Sequence, residues 1–380
     1  MPERLLLTNA KLALPNRIAE GWIALADGMI EECGEGPGPS GGSDMAGDLV
    51  MPGLIELHTD HLEAHLSPRP KVRWPALSAL LAFDAQIAAA GITTVYDCIR
   101  AGDDADNRVV QEELHEVLST IESAQADGLL RAAHRVHLRC EICADNVVSQ
   151  MASVMERHRL DLISLMDHTP GARQFTSLDA WRTYYGGKTG KSAAELDALI
   201  ELKRQQFSRN YSAHRQELVA LARQSGVVVA SHDDATSGHV DESKADGIGL
   251  AEFPTTVEAA RLSLEAGIQV MMGAPNVVRG GSHSGNVAAE ELARAGYLDI
   301  LSSDYVPGSL LFAAFGLAQR LSDWDLPRAL CLVTKNPADA AGLTDRGEIT
   351  AGKRADLVRV HVHNGQPVIR EVYREGRRVT

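Results

Sequence analysis

Eight short apolar runs recur along the middle of this 380-residue chain, and the segments between them carry helical signals. They occupy residues 49–58 (LVMPGLIELH), 92–98 (ITTVYDC), 135–142 (RVHLRCEI), 161–168 (DLISLMDH), 227–232 (VVVASH), 247–253 (GIGLAEF), 268–274 (IQVMMGA) and 298–304 (LDILSSD). Runs this short, with β-branched residues, read as strands buried on both faces. Gly91, Gly226 and Gly267 each stand just before a run, where a preceding helix would end. Ser192–Glu195 and Thr255–Glu258 match a capping box, and the long charged stretch from Ser192 to Gln224 predicts two helices. Eight strand–helix units in one α/β domain predict a (β/α)8 TIM-like barrel, with a doubly wound open sheet as the alternative.

The two ends have a different texture. Residues 1–49 give short strands separated by turn residues and a Gly/Pro/Ser loop, and the chain from about Gly347 repeats that pattern. Residues 1–49 and 346–380 are therefore expected to pair into one small β-sandwich domain, with the barrel at 50–345.

Bulk properties exclude several classes. Hydrophobic residues make up 44% of the chain, enough for a large core, while the formal net charge is −14. An acidic chain lacks the basic face that duplex binding requires, so nucleic acid is not an expected partner. Five cysteines at scattered positions do not suggest a disulfide framework, and Cys140 and Cys143 form a C-x-x-C without a second pair to complete a zinc ribbon. The N-terminal stretch lacks a long apolar signal region, and no segment reaches membrane-spanning length, so a cytoplasmic protein is expected. A homo-oligomer is left open.

Metal-ligand residue types cluster at the C-terminal ends of the predicted strands, where barrel enzymes place their chemistry. His58 and Asp60 close the first run two residues apart, a spacing that turns both side chains to one side of an extended chain. Glu141, His168, His232 and Asp304 stand at the ends of the third, fourth, fifth and eighth runs. A lone histidine is more often structural, but six nitrogen and oxygen ligands at strand ends are a different matter. Three imidazoles and three carboxylates suit two divalent ions, zinc or manganese, and leave the site net cationic.

This pattern resembles the amidohydrolase superfamily, with Asp60 in place of the second histidine of the usual H-x-H and a glutamate where many members carry a carboxylated lysine. The stretches PGLIELHTDHLEAHLSPRP, HLRCEI, LMDHTPGARQF, ASHDDAT, MGAPNVVRGGSHSGNVAA and LSSDYVP are similar to its phosphonate-metabolism branch. That resemblance implies water attack on a sugar 5-triphosphate, release of pyrophosphate, and Asp304 as general base. The implied partner is a small anionic sugar triphosphate, which needs cations beyond the metals. Arg173 and Arg279, in Gly-rich loops just past strand ends, are the leading substrate-binding candidates. Lys188, His239 and His283 follow. GGKTGKS is not a phosphate loop, because Tyr185 stands where the motif needs glycine. It is expected to be a loop closing over substrate, with Trp181, Tyr184 and Tyr185 packing the insertion as the alternative. Two other functions stay open on the sequence: an amide or cyclic-imide hydrolase or deaminase, and a non-catalytic scaffold.

Overall fold

The computed structural model describes residues 4–69, 71–103, 111–174, 177–282 and 285–380. Its strands form two sheets. The first contains β1 (Leu5–Leu14), β2 (Arg17–Ala26), β3 (Met29–Glu35), β4 (Ser43–Asp44) and β5 (Leu49–Pro52). The barrel follows with β6 (Leu54–Thr59), β7 (Ile92–Ala101), β8 (Ala133–Glu141), β9 (Leu162–Met166), β10 (Val228–His232), β11 (Leu250–Glu252), β12 (Gln269–Gly273) and β13 (Ile300–Ser302). The chain then returns to the first sheet with β14 (Leu357–His363), β15 (Gln366–Arg374) and β16 (Arg377–Arg378).

Both termini build one hydrogen-bonded sheet in the order β16-β15-β14-β5-β1-β2-β3, with β4 on β1. Its two-residue alternation feeds two cores. Leu12, Ile23, Val50 and Leu357 meet within the small domain. Leu49, Met51, Val358 and Val360 turn the other way and join the core of the barrel. The run at 49–58 is thus two strands, because the chain passes from one sheet to the other at Gly53. A Cβ at Gly53 would lie 2.1 Å from the Thr93 hydroxyl, so only glycine permits this crossing. The terminal sheet consequently extends to Pro52.

In the barrel every strand pairs parallel with its sequence neighbour, from β6 through β13. The ring closes where Thr59 bridges to Asp304. Ile55, Leu57, Tyr96, Leu162, Leu250, Met271 and Ile300 fill the interior with Leu343, so the barrel is a packed core rather than a pore. Polar chemistry is left to the C-terminal mouth.

Local details differ from the sequence reading. The stretch after Ser192 is a single 32-residue helix, Ala193–Gln224, started by a complete Ser192–Glu195 capping box. The second cap falls one residue later than expected: the Thr256 hydroxyl accepts from the Ala259 amide. GGKT is the last turn of a helix, Leu178–Thr189, ended by Gly190 in the left-handed region, and not an open loop. Trp181 is fully buried and stacks on Tyr185, packing this helix against Leu196 and Ile200. Cys140 and Cys143 are buried free thiols whose ionisation burial disfavours.

Candidate active site

The mouth of the barrel holds a cavity of about 250 Å3 lined by His58, Asp60, His168, His232 and Asp304. Five of the six expected ligands therefore meet in one place. The sixth, Glu141, is fully buried beside them, with a carboxylate oxygen 2.6 Å from His168 Nδ1. Asp233 joins the group. Ligand atoms of His168, His232 and Asp233 all lie within 4.8 Å of one another.

The closure of the barrel positions Asp60 and Asp304. The Asp304 amide donates to the His58 carbonyl at 3.2 Å, and the Asp60 amide donates to the Asp304 carbonyl at 3.3 Å. The Thr59 hydroxyl donates to that carbonyl at 2.8 Å. Beneath this seam, buried Glu56 accepts from the amides of His58 (2.7 Å) and Ser303 (2.5 Å). Burial pushes the Glu56 carboxyl up to about 7 against those hydrogen bonds. Asp304 has φ 55°, and Asp233 and Phe253 at neighbouring strand ends have φ 55° and 54°. Such backbone is costly for non-glycine residues and clusters at functional sites. Burial, then the nearby Asp60 charge, pushes the Asp304 carboxyl up to about 7 despite the opposing Arg139.

The two imidazoles share one anchor. His58 Nδ1 and His232 Nδ1 each lie 3.0 Å from the same oxygen of Glu252, a fully buried carboxylate ending β11. A carboxylate accepts, so each Nδ1 carries the proton and each Nε2 is left as a lone pair. Burial lowers His58 to about 3 and His232 to about 4, which keeps both rings neutral and able to ligate a cation. The Phe253 ring packs edge-on against both, at 5.0 and 5.4 Å.

The expected substrate residues divide. Lys188 and Arg279 line the cavity. Arg173 does not line it. Its buried guanidinium donates to the His232 carbonyl (3.1 Å), to Asp234 (2.5 Å) and to the Tyr211 hydroxyl (3.0 Å). It braces the β10 end from behind rather than facing a ligand. His239 does not line the cavity either; its Nδ1 accepts from the Ala235 amide at 3.1 Å. His283 lies outside the described residues.

Besides Asp233, three groups escaped the sequence reading. Glu252 ends a predicted strand, the same position that marked Glu141. Arg139 sits two residues before Glu141, so the two-residue alternation points both into the barrel. Arg100 holds the equivalent place on β7. Both arginines line the cavity.

These features define a metal-dependent hydrolase scaffold, and the comparisons agree. The profile described as "Amidohydrolase family" matches residues 83–379, and the chain belongs to that family. The chain is 46% identical to alpha-D-ribose 1-methylphosphonate 5-triphosphate diphosphatase of Escherichia coli K12, over 99% of this chain and 100% of that protein. Imidazolonepropionase of Deinococcus deserti is 24% identical over 96% of this chain and 93% of its own length. Among solved structures, 5-methylcytosine deaminase from Klebsiella pneumoniae aligns with TM-score 0.67 and 18% identity, covering 99% of this chain and 98% of that one, which shows the shared fold. Among the described residues no helix is long and apolar enough to cross a membrane.

Proposed function

We propose that this chain hydrolyses alpha-D-ribose 1-methylphosphonate 5-triphosphate, or a close phosphonate sugar triphosphate, to the 5-phosphate and pyrophosphate. One observation carries the reading: 46% identity along both entire chains to a protein of that name, with cations lining the cavity beside the ligand cluster. A water oxygen bonds to the α-phosphorus, the bond from that phosphorus to its bridging oxygen breaks, and pyrophosphate departs with the electron pair.

His58, Asp60, Glu141, His168, His232 and Asp304 would hold two divalent ions, zinc or manganese, and Asp233 lies within reach as a further ligand. The fit rests on the two Nε2 lone pairs fixed by Glu252 and on the convergence of His168, His232 and Asp233. Divalent ions there supply Lewis acidity at the phosphoryl oxygens and to the attacking water. The chain's own groups do the rest. Asp304 takes the water proton. Its carboxylate lines the cavity beside the other expected ligands, where a positioned base can reach the attacking water. Arg279 and Lys188 bind the phosphate chain. The protein acts as a soluble cytoplasmic enzyme.

Incubating the metal-loaded protein with the sugar triphosphate and following phosphorus NMR tests this. Equimolar pyrophosphate and sugar 5-phosphate are expected. Stepwise release of orthophosphate, or an intact triphosphate chain beside a fully metal-loaded protein, would refute it.

A further inference from the structure

Arg100 and Arg139 are direct Cα partners across the parallel β7–β8 ladder. Both line the cavity. Like charges placed side by side on neighbouring strands disfavour the sheet that carries them. Only about 4.8 Å separates adjacent strands. Two guanidinium groups held side by side at a barrel mouth can grip one polyanion together.

Arg139 shows what it has to offer. Its side chain is only 11% exposed, and Nη1 donates to Asp60 at 3.2 Å. Its Nε lies 3.2 Å from the Met166 sulfur, a weak acceptor. Nη2 donates to no described residue. A largely buried guanidinium with an unused edge, lining a cavity, is built to donate to something that enters. Asp60 fixes its position, and the Asp60 amide is bonded to Asp304. The unused edge is thus tied to the seam that carries Asp304.

We propose that Arg100 and Arg139 form a two-pronged anchor for the phosphate chain, each fork donating to non-bridging oxygens of successive phosphoryl groups in the departing pyrophosphate. The assignment rests on the phosphoanhydride reading above. Lys188 and Arg279 line the same cavity from helices, Leu178–Thr189 and Ala274–Arg279. Arg100 and Arg139 stand instead on paired strands, where a small displacement of the phosphate chain would be resisted.

Inorganic pyrophosphate is the probe, titrated calorimetrically into the metal-loaded protein and into Arg100→Met, Arg139→Met and Arg139→Lys. Arg139→Lys keeps a cation beside Asp60 but loses the planar fork, so it covers the case in which Arg139→Met does not fold. The expected result is a tenfold or greater loss of pyrophosphate affinity in each variant, a raised KM for the triphosphate, and metal content equal to the parent. Parental pyrophosphate affinity in Arg100→Met and Arg139→Lys would overturn the anchor. So would a loss of metal that accounts for the whole effect. If the parent binds pyrophosphate but leaves the sugar triphosphate intact, the proposed reaction falls and the anchor stands. If the parent cleaves the triphosphate and the variants bind pyrophosphate as it does, the anchor alone falls.

Discussion

Replacing Glu252 with glutamine tests the arrangement of the metal site without touching any expected ligand. One Glu252 oxygen accepts from two imidazole Nδ1–H groups at 3.0 Å each, and the carboxylate is fully buried. Glutamine keeps the volume and an acceptor oxygen but removes the charge. Hydrogen bonds to a charged partner contribute about 1.5–3 kcal/mol net, against about 0.5–1.5 for neutral pairs. Each of the two bonds therefore loses about 1 kcal/mol of preference for the metal-ready tautomer. Two such losses give about 2 kcal/mol, or roughly a 30-fold weaker metal affinity. That falls within the 10–100-fold range typical of groups that orient metal ligands. The metal-free protein should not suffer equally, because removing a buried charge also removes its desolvation cost. Competition against a chromophoric chelator gives the metal affinity, and thermal unfolding of the metal-free forms gives the stability. Metal affinity within threefold of the parent would refute the tautomer argument. A metal-free form destabilised as much as metal binding is weakened would show Glu252 to be a packing residue only.

Two further outcomes follow from the same geometry. Asp304→Asn should lower kcat by about 10²–10⁴, the usual worth of a positioned base, while the protein stays folded; near-parental turnover with normal metal content would remove Asp304 from the base role. His134, fully buried between Asp97 (2.8 Å) and Asp84 (3.3 Å), ties the helix Ala76–Ala89 to β7 and β8. Burial alone would lower its pKa, but the two carboxylates outweigh it and hold it up to about 9, from 6.5 when unfolded. A raised folded pKa stabilises fully below the unfolded value and ceases to do so as pH rises through the folded one. Urea stability should thus decline between pH 6.5 and 9, and His134→Gln should lose about 3–5 kcal/mol together with that slope. An unchanged slope in the variant would refute the assignment.

Period and position made the barrel legible. Buried parallel strands announce themselves as apolar runs, and the expected ligands stand at their C-terminal ends because the interior below is packed with Ile55, Leu57, Tyr96 and Met271. The two-residue alternation also contained Arg139, since Glu141 marks the inward face of β8. What could not be read were partnerships between distant residues. Arg173 follows His168 in a Gly-rich loop, the right place for a phosphate contact, yet Asp234, 61 residues away, captures it. Nothing local distinguishes an arginine claimed by a buried carboxylate from one left for a ligand. The break at Gly53 was hidden for a similar reason: an apolar run continues across it while the backbone changes sheets, and the contact that demands glycine comes from Thr93.

The balance of charge in the cavity runs against that of the chain. Among the described residues its lining contains three carboxylates, Asp60, Asp233 and Asp304, and four basic side chains, Arg100, Arg139, Lys188 and Arg279. The protein as a whole carries −14. With a screening length of about 8 Å at physiological ionic strength, the distant acidic surface contributes little inside a cleft walled by low-dielectric protein. An entering polyanion therefore responds mainly to the local lining, where basic side chains stand beside the expected ligands. The aspartate at position 60 is part of this balance. A histidine there could still ligate a cation but would leave Arg139 without the carboxylate that fixes it at 3.2 Å. On this argument the departure from H-x-H would let one side chain serve both the proposed metal centre and the proposed anion anchor beside it.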